Sequence, residues 1–199
     1  GLGDVYKRQV KDAIDVLAGR TQGDLLEISL LLGSHMLVLA EKAKTLPEAR
    51  AMLENALSSG AGLRKLAEMI AAQGGDPRVV EDLSLLPQAA VKRVMRAETA
   101  GYLSAMDTTA LGMAAQRMGA GRAKKSDMLD YSVGYVLHVR LGDEVTEDTP
   151  LATLYARNEA EAEEAEKAIR KALTIAKEKP QTPKLWDAVV TAEGITYNR

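Results

Sequence analysis

Two histidines, His35 and His138, are the side chains of this sequence best suited to proton transfer or metal binding near neutral pH. Each lacks a neighbour that would complete such a site. His35 stands in an apolar, helix-like stretch beside Met36, the setting of a packed or hydrogen-bonded core histidine. His138 alternates with Leu137 and Val139, so a strand there turns it to the outside of a sheet. The two lie far apart in sequence, and nothing in their spacing matches a metal-ligand pattern. A second candidate is Gly119-Ala120-Gly121-Arg122, a tight glycine turn whose backbone amides, with Arg122 as clamp, suit an anion. It lacks the preceding strand and the further glycine of a nucleotide fingerprint, which favours a structural turn. Lys124 and Lys125 just beyond it, and the acidic stretch 159–173, read as solvated surface.

Those residues must be positioned by an ordinary globular chain. Of 199 residues, 46% are apolar and 27% charged, a balance that buries a core. A formal charge of −2 argues against a nucleic-acid partner, which selects for a basic face. There are no cysteines, so disulfides and thiolate metal sites are excluded. Apolar runs such as 28–32 and 36–40 are far shorter than the roughly 20 residues of a membrane span. No secretory leader is visible, and the expectation is a cytoplasmic protein without a membrane partner. Residues 1–9, GLGDVYKRQ, show no clear period and run abruptly into an amphipathic pattern at Val10; they read as a non-native leader.

From 10 to 73 the pattern is helical. Val10, Ile14 and Leu17 mark a first helix ending near Gly19, and Asp24 with Glu27 has the spacing of a capping box for a second. That second helix carries Leu25, Ile28, Leu32, Met36 and Leu39 on one face and leucines elsewhere, which predicts burial on most sides. Pro47 opens a third helix that Gly60 stops, and a fourth ends at Gly74-Gly75. After Pro87 the texture becomes mixed. Strands are predicted over 91–97, 102–106, 135–141 and 151–155, with a helix over 111–118, Gly101 as a turn and Gly142-Asp143 as a hairpin turn. Asn158 and Glu161 cap a helix to Leu173 that carries Glu163–Lys167 and Glu166–Arg170 pairs. Pro180 and Pro183 mark a linker before a last strand, 188–192. The expected class is α+β: helices over 10–86, then a small hairpin-rich mixed-sheet domain over 87–199.

Seven segments carry a resemblance: Val10-Lys11-Asp12-Ala13-Ile14, Leu32-Gly33-Ser34-His35-Met36, Ala72-Gln73-Gly74-Gly75-Asp76, Leu86-Pro87-Gln88-Ala89, Gly119 through Lys125, Ser132-Val133-Gly134 and Gly142-Asp143-Glu144-Val145. In order and spacing they resemble the C-terminal portion of pyrimidine-nucleoside phosphorylases. The resemblance implies a helical remnant of a phosphorylase α/β domain over 10–86, followed by that family's C-terminal domain. It implies phosphorolysis of pyrimidine nucleosides, with phosphate as co-substrate and a homodimeric parent. The family holds phosphate with a Lys-His-Ser-Thr-Gly-Gly-type loop and the base with an Arg and a Ser-x-x-x-Lys run. No such segments occur in these residues, so the resemblance assigns no catalytic residue here and implies a chain inactive alone.

One position is carried over. The family binds a potassium ion through backbone carbonyls, a Thr hydroxyl and a Glu two residues after its Val-Lys pair. Here that position is Asp12, a hard oxygen donor one methylene shorter. The carbonyl ligands would lie upstream, so the resemblance implies an incomplete site. From another class, 142–145 followed by Pro150-Leu151 resembles the rhythm of biotinyl and lipoyl carrier domains. A carrier presents a lone lysine at a tight turn; Lys124-Lys125 are paired, and lie between Ala123 and Ser126.

Overall fold

The computed structural model describes residues 6–122 and 124–198. The chain forms two compact units, one built from residues 14–69 and 182–199, the other from residues 1–13 and 70–181. The class is α+β, with every strand pairing antiparallel.

The first unit holds most of the helices: α1 (Tyr6–Leu17), which begins in the other unit, α2 (Asp24–Leu39), α3 (Leu46–Ser58) and α4 (Ala61–Ala72), which ends in it. Helix α1 starts earlier than the sequence pattern indicates, so Tyr6 to Gln9 form its first turn; residues 1–5 of the expected leader lie outside the described residues. Asp24 is the first helical residue of α2 rather than its cap. Gly23 takes the cap position at φ 115°, a conformation that favours glycine, and its carbonyl accepts from the Glu27 amide at 3.0 Å. Glu27 turns instead to Arg50 on α3, at 3.1 Å. Thr45 caps α3 by accepting from the Glu48 amide, with Pro47 in the first turn, as the sequence pattern requires.

Helices α2 and α3 pack through Leu26 and Leu30 against Leu53 and Leu57, with Val16 of α1 in the same cluster. Gly33 permits that approach: a Cβ there would stand 2.9 Å from the Leu53 methyl. The opposite side of α2 departs from the expected burial. Leu25, Leu32, Met36 and Leu39 are 49%, 57%, 68% and 83% exposed, because α2 has one helix-packing face within this unit and that face is the other one. A hairpin of β7 (Ala188–Thr191) and β8 (Gly194–Tyr197) completes the unit. No strand was anticipated at β8.

The second unit contains six strands and two helices: β1 (Val91–Arg96), β2 (Gly101–Met106), α5 (Thr108–Ala115), β3 (Gly134–Leu137), β4 (Glu144–Val145), β5 (Pro150–Ala156), α6 (Glu159–Ala172) and β6 (Leu173–Ala176). One sheet has the order β1-β5-β3 and the other β4-β2-β6, so the chain changes sheet at every connection. This overturns the hairpin reading of Gly142-Asp143. The turn exists, closed by Asp143 N–H donating to the Arg140 carbonyl at 3.0 Å, but it joins β3 to β4 in different sheets. Gly101 likewise is not a turn residue. It lies in β2 at φ 155°, where a Cβ would stand 2.5 Å from the Ala176 carbonyl oxygen of β6.

Register divides the β1-β5-β3 sheet into two faces. Met95, Ala152, Leu154 and Tyr135 turn inward, each at most 1% exposed, and join Leu103, Val145, Leu111, Met118 and Ile169 in the core. The Tyr135 hydroxyl donates to the Leu111 carbonyl at 2.8 Å, satisfying a buried polar tip. Lys92, Tyr155, Val94, Thr153 and Val136 alternate onto the outer face.

Candidate functional site

The glycine turn follows α5. The helix widens into a single π turn over Gln116–Ala120, and Gly119 leaves it at φ 101°. A Cβ at Gly119 would meet Val133 at 3.6 Å and both terminal nitrogens of Arg157 at 3.7 Å. The carbonyls of this turn are taken by the protein itself. Arg157 donates to the Met118 carbonyl at 3.4 Å, the Asp130 amide to Gly119 at 3.1 Å, and the Gln116 amide to Arg122 at 2.6 Å. Arg157 also pairs with Glu161 at 3.0 Å, so its charge is offset before any ligand arrives. Asp130 is held below the usual carboxylate range, first by the Ser132 hydroxyl at 2.6 Å; burial opposes this, and the Ser132 amide and Arg157 reinforce it. The turn therefore fixes the loop that leads to β3.

Lys124 and Lys125 are exposed in that loop, between α5 and β3, where the Asp127 carboxylate accepts from the Lys124 amide at 2.8 Å. Neither sits at the tip of a paired hairpin, the geometry a carrier lysine needs. Helix α6 is capped by Asn158 as expected, with Glu163–Lys167 at 2.6 Å and Glu166–Arg170 at 2.9 Å along its outer side. Arg93 of β1 reaches Glu166 at 2.8 Å, so part of the acidic helix face serves to tie α6 to the sheet.

His138 lies on the outer face of the sheet, as its alternation indicates, and is exposed. Its Nε2 is 2.7 Å from Thr153 Oγ1, a partner on β5 that sequence reading did not anticipate. Burial, and then the positive charges of Arg8 and Lys92, hold the imidazole below its ordinary value. An open depression of ≈ 670 Å³ beside it is lined by Val94, Arg96, Asp143, Glu144 and Thr149. Arg96 is committed to the Asp148 carbonyl at 2.7 Å and Asp143 to the Arg140 amide at 2.8 Å. His35 is half-buried on α2, in the other unit.

Asp12 is on α1, 28% exposed, with its carboxylate 2.7 Å from Arg8 Nε one turn earlier. The contact is ionic rather than an aligned hydrogen bond, since Arg8 Nε has no hydrogen-bond partner. Among the described residues no group of three or more His, Cys, Asp or Glu side chains converges as a metal site. Asp12 thus brings a single carboxylate already neutralised by a cation, and these residues do not fit an alkali ion by themselves.

The six-strand unit is what similarity to known proteins identifies. Residues 102–176, from the second residue of β2 to the end of β6, match the family model of the pyrimidine nucleoside phosphorylase C-terminal domain. They resemble such a domain. The chain is 47% identical over 151 residues to a pyrimidine-nucleoside phosphorylase of Bacillus subtilis (strain 168), and 46% identical to one of Geobacillus stearothermophilus. Each alignment covers 76% of this chain and 35% of the relative. A third relative, from Staphylococcus aureus (strain USA300), is 40% identical over 168 residues, or 84% of this chain and 39% of its own length. The chain therefore spans little more than a third of the phosphorylases it resembles. Within the matched residues, Arg157 and Asp130 serve the turn, and Glu166 and Arg170 serve the α6 contacts described above. No helix among the described residues is long and apolar enough to cross a membrane.

Proposed function

We propose that this chain is the C-terminal part of a pyrimidine-nucleoside phosphorylase, an enzyme of nucleoside salvage that uses orthophosphate to displace uracil or thymine from C1 of the pentose. What supports the reading is the match over 102–176 together with 40–47% identity to three phosphorylases. Displacement at C1 proceeds through a transition state of oxocarbenium character. Catalysis therefore needs a fixed phosphate, charge stabilisation on the departing base and exclusion of water. None of those tasks falls to a residue of this chain. The chain alone is accordingly silent in phosphorolysis. The parent is a cytoplasmic homodimer, and Asp12 supplies one oxygen to its potassium ion once released from Arg8.

The test joins the portion of the Bacillus relative that precedes the matched region to residues 10–199 and assays uridine and thymidine with and without phosphate. The chimera should release base only when phosphate is present, while the 199-residue chain should release none. Base release by the chain alone would overturn the division of labour, and a folded but inactive chimera would overturn the assignment. Asp12→Ala in the chimera should abolish the dependence of its melting temperature on potassium.

A further inference from the structure

Helix α2 has a second face that its own unit leaves open. Leu26 and Leu30 spend one side of the helix on α3, while Leu25, Leu32, Met36 and Leu39 stay exposed on the other. At about 100° per residue, Leu25, Ile28, Met36 and Leu39 all project within roughly 40° of Leu32. The five make one straight apolar stripe about 21 Å long. The charged side chains of α2, Asp24 and Glu27, both lie in its first turn, and Arg50 holds Glu27. Ser29 and His35 flank the stripe on either side. The Ser29 hydroxyl already donates to the Leu25 carbonyl at 2.6 Å, so that flank can lose its water without stranding a donor.

The stripe reads the same in both directions. Leu32 is its midpoint, with Leu25 and Leu39 equally spaced on either side and Ile28 and Met36 equally spaced inside them. An identical helix laid antiparallel across it sets Leu32 on Leu32, Leu25 on Leu39 and Ile28 on Met36. That is the self-complementary pattern of a two-fold interface. The antiparallel arrangement also sets the positive end of each helix dipole beside the negative end of the other.

Area decides the strength of such a pair. Side chains at these exposures form a patch on the order of 500 Å², the size at which apolar patches on soluble chains mark contact sites. Two patches bury roughly 1,000 Å² together, the lower edge for a specific interface, which suits a reversible dimer rather than a permanent one. We infer that the exposed face of α2 is the docking surface for a second copy of this chain, held as an antiparallel α2–α2 pair centred on Leu32. The inference uses no residue of the phosphorolysis reading, so the two stand or fall separately.

Sedimentation equilibrium of the full chain across the micromolar range is the test. The apparent mass should rise from that of one chain toward that of two and stop there. Leu32→Glu, at a position already 57% exposed, opposes two carboxylates at the axis and should hold the chain monomeric with its circular dichroism unchanged. Leu32→Lys should do the same, and an equimolar mixture of the two variants should dimerise again, because the position faces its own copy. L25E alone should be monomeric, whereas L25E/L39K should dimerise, since each introduced carboxylate meets an introduced ammonium of the other copy. Should Leu32→Glu lose helix content, the comparison of L25E with L25E/L39K carries the test. Val190→Glu, 73% exposed on β7 of the same unit, should leave the dimer intact, which separates docking from general stickiness. A chain monomeric throughout, or assemblies that grow past two and ignore Leu32→Glu, would overturn the inference. So would a monomeric chimera in which Met36, 68% exposed here, resists peroxide oxidation, because the preceding portion of the phosphorylase would then occupy the face.

Discussion

Gly101→Ala tests the reasoning about the two interleaved sheets most directly. The added Cβ would stand 2.5 Å from the Ala176 carbonyl oxygen, 2.9 Å from the Ile175 Cγ2 and 3.2 Å from the Ala176 carbonyl carbon. Two of these three atoms are backbone of the paired strand β6, so no rotamer change relieves the contact. Overpacking of this kind costs about 1–3 kcal/mol. The φ of 155° adds backbone strain of about 1–3 kcal/mol for a residue with a side chain. Together the substitution should cost about 2–6 kcal/mol, a large share of the stability of a small domain. The control is Gly112→Ala in α5, where nothing lies within 4 Å of the new Cβ. There alanine should stabilise by about 0.5–1 kcal/mol, through helix propensity alone. Thermal unfolding followed by near-ultraviolet circular dichroism of a Trp186→Leu background reads this unit mainly through Tyr102, Tyr131, Tyr135 and Tyr155. Gly101→Ala should lower the midpoint by tens of degrees or abolish the transition, and Gly112→Ala should raise it. An unchanged midpoint for Gly101→Ala would refute the close approach of β2 and β6.

Further outcomes follow from single contacts. Tyr135→Phe keeps the buried ring but removes its hydrogen bond to the Leu111 carbonyl, and should cost about 0.5–1.5 kcal/mol in urea unfolding. Asn158→Ala removes the cap on the Glu161 amide and should cost about 1 kcal/mol, with Asn158→Asp restoring most of it. His138 gives a pH dependence of defined sign. Its folded-state value lies below the ordinary 6.5, so the unfolded chain binds more protons in the window between the two. The stability from the neutral imidazole is fully present above 6.5 and is lost as pH falls toward the folded value. The midpoint of the native chain should therefore drop more between about pH 7.5 and pH 5 than that of His138→Gln; parallel curves would contradict the burial of the ring.

What was legible in the sequence was whatever closes within four residues. The Asn158–Glu161 cap, Pro47 in the first turn of α3 and the Glu163–Lys167 and Glu166–Arg170 pairs all follow from helical spacing, and period-two alternation placed His138 on the outer face. Partners across the fold were not. Thr153 is bonded to His138 from another strand, and Glu27 is drawn away from a cap by Arg50 on another helix. Strand β6 was missed because it begins at Leu173, directly after α6 ends at Ala172, with no glycine or proline between them. The candidate site fared similarly. Asp12 was placed by resemblance, and its tie to Arg8 was missed because Arg8 fell in the segment read as a leader.

Alternation between sheets also bears on where the folding unit begins. The phosphorylase match starts at Tyr102, yet β1 lies before it and pairs with β5 from Val91 to Arg96. Met95 and Ala97, 0% and 4% exposed, belong to the same core as Leu103 and Ile169. A segment of 102–176 alone would lose both, leave β5 with one neighbour, and strip Arg93 from Glu166 on α6. Loss of a buried Met-sized side chain alone costs about 2–5 kcal/mol. Against a typical total of about 5–15 kcal/mol, losing a whole edge strand exceeds what such a unit can bear. The 102–176 piece should therefore show no cooperative transition, whereas 70–181, which restores β1 and the turns leading into it, should melt cooperatively. A cooperative 102–176 piece would mean that β1 is an attachment to the sheet rather than a part of it.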